Sequence, residues 1–428
     1  MLRRLIPIAL LAIAAAAAQP PKFQPPAPPP VKTYTLPPDK LQKAIEYSDA
    51  RDRAHFVGVG YGVLVLITLL AWKVAPKYRD WAEIASPKRR IGQAFFFGAL
   101  IVLTTDILSL PLELYLQNLA RRYDQSVQSW GSWFRDWALG ELIGIILTGF
   151  LLWILFGVIR RSPRRWWFYF WLASIPLVLF MMFISPVVIA PLFNKFEPLQ
   201  ATQPALVAQI ERVVTRGGLT IPTDRMYEMN ASEKVNTLNA YVSGIGASKR
   251  VVVWDTTMKK MNMGQILFVF GHEMGHYVLG HNYILIGVMC LVILIYLFIG
   301  YYVLHWSLAR WGGTWAIRGV DDWAAVPVLM VLVAVLGFLS EPVLNSVGRT
   351  LEHNADIYGL EVIHGIVPDS PQAAAQAFQI LGEVSLSNPN PSPFIKFWMY
   401  DHPSVADRVR FAAEYDPWAH GESPKYVK

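Results

Sequence analysis

Six long apolar runs divide the chain, covering roughly residues 56–75, 91–112, 137–159, 166–192, 282–304 and 323–340. None alternates polar with apolar at the period of two that a half-buried strand needs. A helix needs about 20 apolar residues to cross the hydrocarbon core, and each run meets or approaches that length. Only helices and closed barrels satisfy their backbone in lipid, so the runs predict six membrane helices. Asp106 and Glu141 fall inside two of them. Each carboxylate either faces a wet cavity or a partner, or sits close enough to a helix end to reach water.

Two stretches precede the first run. MLRRLIPIALLAIAAAAAQ, residues 1–19, has a basic start, an apolar middle and small residues before Gln19. That is the pattern of a secretory signal peptide, with an uncleaved anchor helix as the alternative. Residues 20–38 carry proline at nearly every second or third position and predict an extended linker. Residues 39–192 then form an N-terminal membrane domain of four spans.

The remainder, 193–428, holds two polar segments, 193–263 and 341–428, on either side of spans 282–304 and 323–340. Those two spans go out and back, so residues 281 and 341 lie on the same side of the membrane. Each polar segment is too small for a roomy core alone. Together they predict one small α+β domain on one face. Basic residues concentrate in 77–90 and 160–165, two loops on the other face. The positive-inside rule makes that face cytoplasmic and turns the polar domain away from the cytoplasm. Lys40, Lys43, Arg51 and Arg53, read as a loop on the opposite side, dissent.

Composition agrees with a multi-pass membrane protein: 54% hydrophobic and 16% charged. The single cysteine, Cys290, excludes a disulfide framework and a cysteine-based zinc site. The net charge of +7 is spread over loops, without a Lys/Arg stripe interleaved with aromatics. The expected partner is therefore a lipid bilayer, with no nucleic acid.

The candidate chemistry begins at His272-Glu273-Met274-Gly275-His276. Helix residues four apart share a face, so both imidazoles can bind one metal, and Glu273 can reach a water on it. This is the HExxH arrangement of zinc peptidases. A histidine pair without a third ligand is more often structural, so the third ligand decides. His281 follows His276 by five residues and, on a continuing helix, points about 180° away from His272. It reads as a polar residue at the mouth of the fifth span. Glu352 and Asp356 lie four apart on a helix continuing the sixth span. Glu352 is ~18 Å past that span and His276 ~9 Å before the fifth, on the same side. Glu352 is therefore the expected third ligand. Asp356 is expected to accept the ring N–H of a ligating histidine and fix its tautomer. His353 points off that face. Upstream, NAYVSGIGASKRVVVWD, residues 239–255, predicts a β-hairpin. A strand there could take an extended peptide by addition to a sheet edge.

With these residues assembled, the sequence resembles the type I CAAX prenyl proteases, integral-membrane zinc metalloproteases of the gluzincin kind. The resemblance runs from about Leu36 onward, through LPP (36–38), FNKF (193–196), NAYVSG (239–244), SKRVVVWDT (248–256), HEMGHYVLGH (272–281), EHNAD (352–356) and DHPSVADR (401–408). It implies a mainly α-helical membrane protein, six to seven spans around a water-filled chamber, with a small α+β zinc-protease domain. It further implies that Asn239 and Ala240 contact the substrate backbone, that His402 helps stabilise the transition state, and that Arg408 supports the site. The family removes the last three residues from prenylated proteins. The alanine-rich start suggests a bacterial chain, where that substrate class is not expected.

Two functional expectations follow. The first is a membrane-embedded zinc endopeptidase, one Zn²⁺ per chain on His272, His276 and Glu352. It would act on a membrane-associated or lipidated protein, most readily at the non-cytoplasmic face of a bacterial inner membrane. The second is a non-enzymatic transporter or assembly factor with a structural metal.

Overall fold

A computed structural model describes residues 30–244 and 249–427. The stretch 1–19 and most of the proline-rich linker lie outside them. Among the described residues six helices are long and apolar enough to cross a membrane. They are α1 (Pro38–Ala71), α3 (Arg90–Arg122), α4 (Trp130–Arg161), α5 (Trp166–Ile184) with its continuation to Phe193, α11 (His281–Trp311) and α12 (Val326–Ile363) with the preceding turn Trp323–Ala325. A shorter helix, α2 (Val74–Ala85), follows α1. Between α5 and α6 (Ala190–Phe193) the chain makes a π-helical turn, Ser185–Ile189.

One expectation is corrected here. Residues 40–54 form no loop, because α1 starts at Pro38, where proline's fixed φ suits the first helical turn. Arg51 and Arg53 project from helical turns, and Lys40 is ion-paired with Glu383. These charges still flank the first span at the end that carries the polar domain, so their dissent from the charge count stands.

The polar segments fold together. Their helices are α7 (Leu199–Thr202), α8 (Pro204–Arg216), α9 (Asp255–Lys260), α10 (Met263–Val278), α13 (Ser370–Val384), α14 (Pro393–Met399) and α15 (Val405–Glu414). The strands β1 (Phe196–Pro198), β2 (Met226–Met229), β3 (Ala240–Ser243) and β4 (Arg250–Trp254) form one sheet in the order β1-β2-β4-β3. The expected hairpin is the antiparallel β3–β4 pair, with Ala240 opposite Val253. It lies within a larger mixed sheet, and β3 is an edge strand.

Asn262 starts α10 with a reciprocal cap, accepting from Gln265 N while Gln265 Oε1 accepts from Asn262 N. The helix then buries Ile266, Leu267, Phe268 and Phe270 against α12, α13 and the sheet. Each such side chain contributes ~1.5–3 kcal/mol when fully buried. A separate apolar cluster at the far end of the spans centres on Trp323, packed on Phe97 and Phe156. Arg79 ties α2 to this end through Asp322 at 2.7 Å. The basic stretches 77–90 and 160–165 lie here, whereas Glu352 is ~43 Å further along α12. Cavities open between the spans. One of about 640 Å³ lies between α1, α3 and α12 and is lined by Asp106, His55 and Glu341. Asp106 thus faces a cavity. The Glu141 carboxylate has a buried oxygen without a hydrogen-bond partner.

Candidate metal centre

Two helices build the site, and small residues let them touch. α10 crosses α12 so closely that a Cβ on Gly359 would lie 2.9 Å from the His272 backbone nitrogen. That approach is open only to glycine, since no side chain could yield. It lays the His272–His276 face of α10 against the Glu352–Asp356 face of α12.

The ligating atoms then converge. His272 Nε2 and His276 Nε2 are 3.2 Å apart. Glu352 Oε2 is 3.2 Å from the first, and Glu352 Oε1 is 3.3 Å from the second. Ligands at zinc–nitrogen distances of about 2.0–2.1 Å span tetrahedral edges of about 3.3 Å. The triangle therefore fits a tetrahedral ion. His272, His276 and Glu352 are the one group of this kind among the described residues. Glu352 Oε2 is buried and makes no aligned hydrogen bond, although His272 Nε2 lies 3.2 Å away. Close approach without alignment is the pattern of ligands that share a cation.

Electrostatics point the same way. Burial alone would depress the His272 imidazole, yet Asp356 and Glu352 outweigh it and raise its pKa to about 9. The carboxylates that favour a proton there equally favour a divalent cation in its place. Burial pushes the Glu273 carboxyl above its ordinary value. A carboxylate shifted that way is a better proton acceptor near neutral pH.

A second layer of contacts orients the first. Asp356, 1% exposed, holds His272 Nδ1 at 2.8 Å. Arg408 on α15 donates to both Asp356 oxygens, at 2.9 and 2.5 Å, and its guanidinium lies over Phe378. His402 points Nε2 at Glu352 Oε2, 3.1 Å away, while its Nδ1 meets Asp401 at 2.7 Å. Burial depresses this imidazole too, but Asp401 and Glu352 raise it to about 9. A protonated His402 is a donor aimed at the site. The chain carrying His402 is fastened to α12. Asn345 donates to Trp398 O at 2.6 Å, and Arg349 donates to Lys396 O at 3.1 Å and to Tyr400 O.

The residues expected from sequence thus come together: His272, Glu273, His276, Glu352, Asp356, His402 and Arg408. Ala240 opens the edge strand β3, which packs on α10. Asn239 has its main-chain N–H and C=O engaged by Thr257 and Trp254, and its side chain has no hydrogen-bond partner among the described residues. His353 meets Phe411 edge to face, away from the ligands, as its helical position predicts.

His281 is no ligand and opens the fifth span, as expected, but the helix geometry behind that expectation does not hold. The helix does not continue through it: Gly280 takes φ 69°, α10 ends at Val278, and α11 starts afresh at His281. The break swings the buried His281 inward, and its Nδ1 comes within 3.0 Å of His276 Nδ1. His281 stays outside the ligand triangle but supports His276 much as Asp356 supports His272. A glycine directly before the histidine was the available signal. Asp401 and the Gly359 contact were missed as well, and nothing local to either announces it.

Comparison with known proteins agrees with this geometry. Residues 200–416 match the model of peptidase family M48, and residues 22–195 match that of the CAAX prenyl protease N-terminal region with five membrane helices. The chain is 36% identical over 379 residues to a protein of Bacillus subtilis named uncharacterized metalloprotease YhfN, covering 88% of this chain and 86% of that one. It is 27% identical to a CAAX prenyl protease 1 homolog of Oryza sativa, covering 88% of each. The crystal structure of Saccharomyces mikatae Ste24p shares its fold, with TM-score 0.75, 21% identity and 89% of each chain covered. The non-enzymatic alternative falls, and a metal-dependent peptidase acting on peptide or protein substrates takes its place. With six membrane helices among the described residues and its histidine–glutamate triangle, the chain belongs to peptidase family M48 and is an integral-membrane metalloprotease.

Proposed function

We propose that this chain is a zinc endopeptidase cutting membrane-associated or lipidated proteins. The observation that carries the proposal is the triangle of His272, His276 and Glu352 with Glu273 between its histidines and a free sheet edge alongside. Zinc, when bound, supplies a Lewis acid that acidifies water and polarises the scissile carbonyl. Glu273 takes the water's proton and returns it to the leaving amine. His402 donates from Nε2 to the oxyanion that develops at the carbonyl. Asp356, held by Arg408, keeps His272 in the tautomer that presents Nε2. The substrate adds as a strand to β3, with the Asn239 side chain beside it.

A cavity of about 800 Å³ beside that edge supports an apolar or lipidated substrate. Met181, Met182 and Phe183 line one wall, and Tyr241 and Val242 of β3 the other. We assign the site to the non-cytoplasmic face of a bacterial inner membrane, since the basic loops occupy the opposite end.

The test uses protein purified in detergent. Its metal content is measured, then cleavage of a farnesylated peptide and of an unmodified membrane-protein fragment, with and without chelator. Zinc near one per chain and chelator-sensitive cleavage are expected. Glu273→Gln should keep the zinc and lose ~10²–10⁴-fold in rate. Full activity in that variant would sink the assignment. Equal cleavage of both substrates would remove the lipid from the proposal.

A further inference from the structure

The membrane end opposite the metal centre carries charge that proteolysis does not use. There α3 begins at Arg90, α4 ends at Arg161, and Trp323 leads into α12. Two kinds of charge meet at this end. Arg79 is paired with Asp80 and Asp322, and Arg318 with Asp80 and Glu83. The basic residues of 88–90 and 160–165 have no ion-pair partner among the described residues.

One of them covers an aromatic ring, and a second reaches that ring's hydrogen-bond partner. The Arg160 guanidinium lies 5.6 Å from the ring centre of Trp323, a side chain 1% exposed. Trp323 Nε1 donates to Gln93 Oε1 at 3.3 Å, and the same oxygen accepts from Arg90 Nη1 at 3.0 Å. Arg90 and Arg160 are thus joined through Gln93 and the Trp323 ring. Arg160 Nη1 is buried and donates to nothing. The negative C-terminal end of α4 favours a cation here but provides that N–H with no acceptor. A guanidinium over a buried ring with one buried N–H unused, and a second guanidinium linked to the same ring, cost free energy unless an anion completes them.

Position selects the anion. The ends of α3 and α4 lie just beyond their apolar stretches, at the level of lipid headgroups. A guanidinium fork matches phosphate oxygens, and basic clefts between membrane helices are where headgroups lodge. Trp153 lies two turns down the Arg160 face of α4 and is exposed, so acyl chains would meet an apolar wall below the charge. We propose that Arg90 and Arg160, linked through Gln93 and Trp323, bind the phosphate of an anionic phospholipid headgroup.

The test titrates purified protein in neutral detergent with dihexanoyl-phosphatidylglycerol, dihexanoyl-phosphatidylcholine or inorganic phosphate, following the melting temperature. Phosphatidylglycerol should raise it saturably, at concentrations about tenfold below those the other two need. Arg160→Gln and Arg90→Gln should each move the midpoint about tenfold higher. Arg164→Gln, exposed and outside this linked pair, should move it no more than about twofold. The proposal is overturned if both Arg160→Gln and Arg90→Gln bind like the parent protein, or if inorganic phosphate matches phosphatidylglycerol. An equal loss in Arg164→Gln would also overturn it, since it would mean diffuse attraction without a site. Arg90 is exposed, so its variant keeps the test decisive even if Arg160→Gln does not fold.

Discussion

From Val326 to Thr350, α12 buries Val326, Pro327, Val328 and Pro342 and little else; from Leu351 to Ile363 it buries Leu351 and every residue from Ala355 onward. The first half borders the polar cavity near Asp106 and an apolar one of about 460 Å³. The second half is pressed against α10. The other spans resemble the loose half: Trp166–Phe193 and His281–Trp311 each bury 6% of their apolar windows. Where ligands must converge to tenths of an ångström, the fold removes space. Where lipid or substrate must be accommodated, it leaves space, so one helix serves both ends by changing its neighbours.

The largest effect expected in the dense half comes from Asp356→Asn. It removes the charge on His272 Nδ1 and half of the pair with Arg408. Zinc affinity should fall ~10–100-fold, measured by competition with a calibrated chelator. Unchanged affinity would mean that Asp356 does not orient the ligand.

Gly359→Ala and Gly300→Ala put the same methyl group into the two environments. At 359 it meets the His272 backbone, and overpacking should cost ~1–3 kcal/mol, with weaker metal binding. At 300 it meets only the end of the Leu332 side chain, 3.1 Å away, which can retreat into the cavity it shares with Gly300. That change should stay within ~0.5 kcal/mol. Melting temperatures in one detergent compare the pair, and equal losses would erase the contrast drawn here.

Asp255 gives an intermediate, pH-dependent case. It accepts from the Ala231 and Ser232 backbone N–H groups and from Lys259, fixing the connection between β2 and β3. Burial would raise its carboxyl, but the hydrogen bonds from Lys259 and Ser232 prevail and hold it below the ordinary value. Its stabilising contribution, ~1–3 kcal/mol, is therefore present above the unfolded pKa of about 3.9 and lost as pH falls through the folded value. Asp255→Asn should melt below the parent protein at pH 7 and approach it towards pH 3. A gap independent of pH would point to shape rather than charge.

Much of this was legible in the sequence because membrane spans and HExxH are both local patterns. The run lengths gave six helices, and the out-and-back pairing of α11 and α12 brought Glu352 to the histidines. His402 and Arg408 needed the family resemblance, since over a hundred residues separate them from His272. β1 and β2 were not anticipated, as strands of three and four residues are too short to show a period. His281 was misplaced for want of one torsion angle at Gly280, and the start of α1 because polar residues there were read as loop.

The fastening of residues 398–402 to α12 has a mechanical consequence. Glu352 and the chain leading to His402 ride on the same rod, through Asn345 and Arg349. Tilting that rod carries both together and leaves their separation unchanged. The movement is felt instead at the seam with α10, where His272 and His276 stand. A bilayer that thickens or thins and so tilts α12 therefore adjusts the metal grip before it disturbs the alignment of His402.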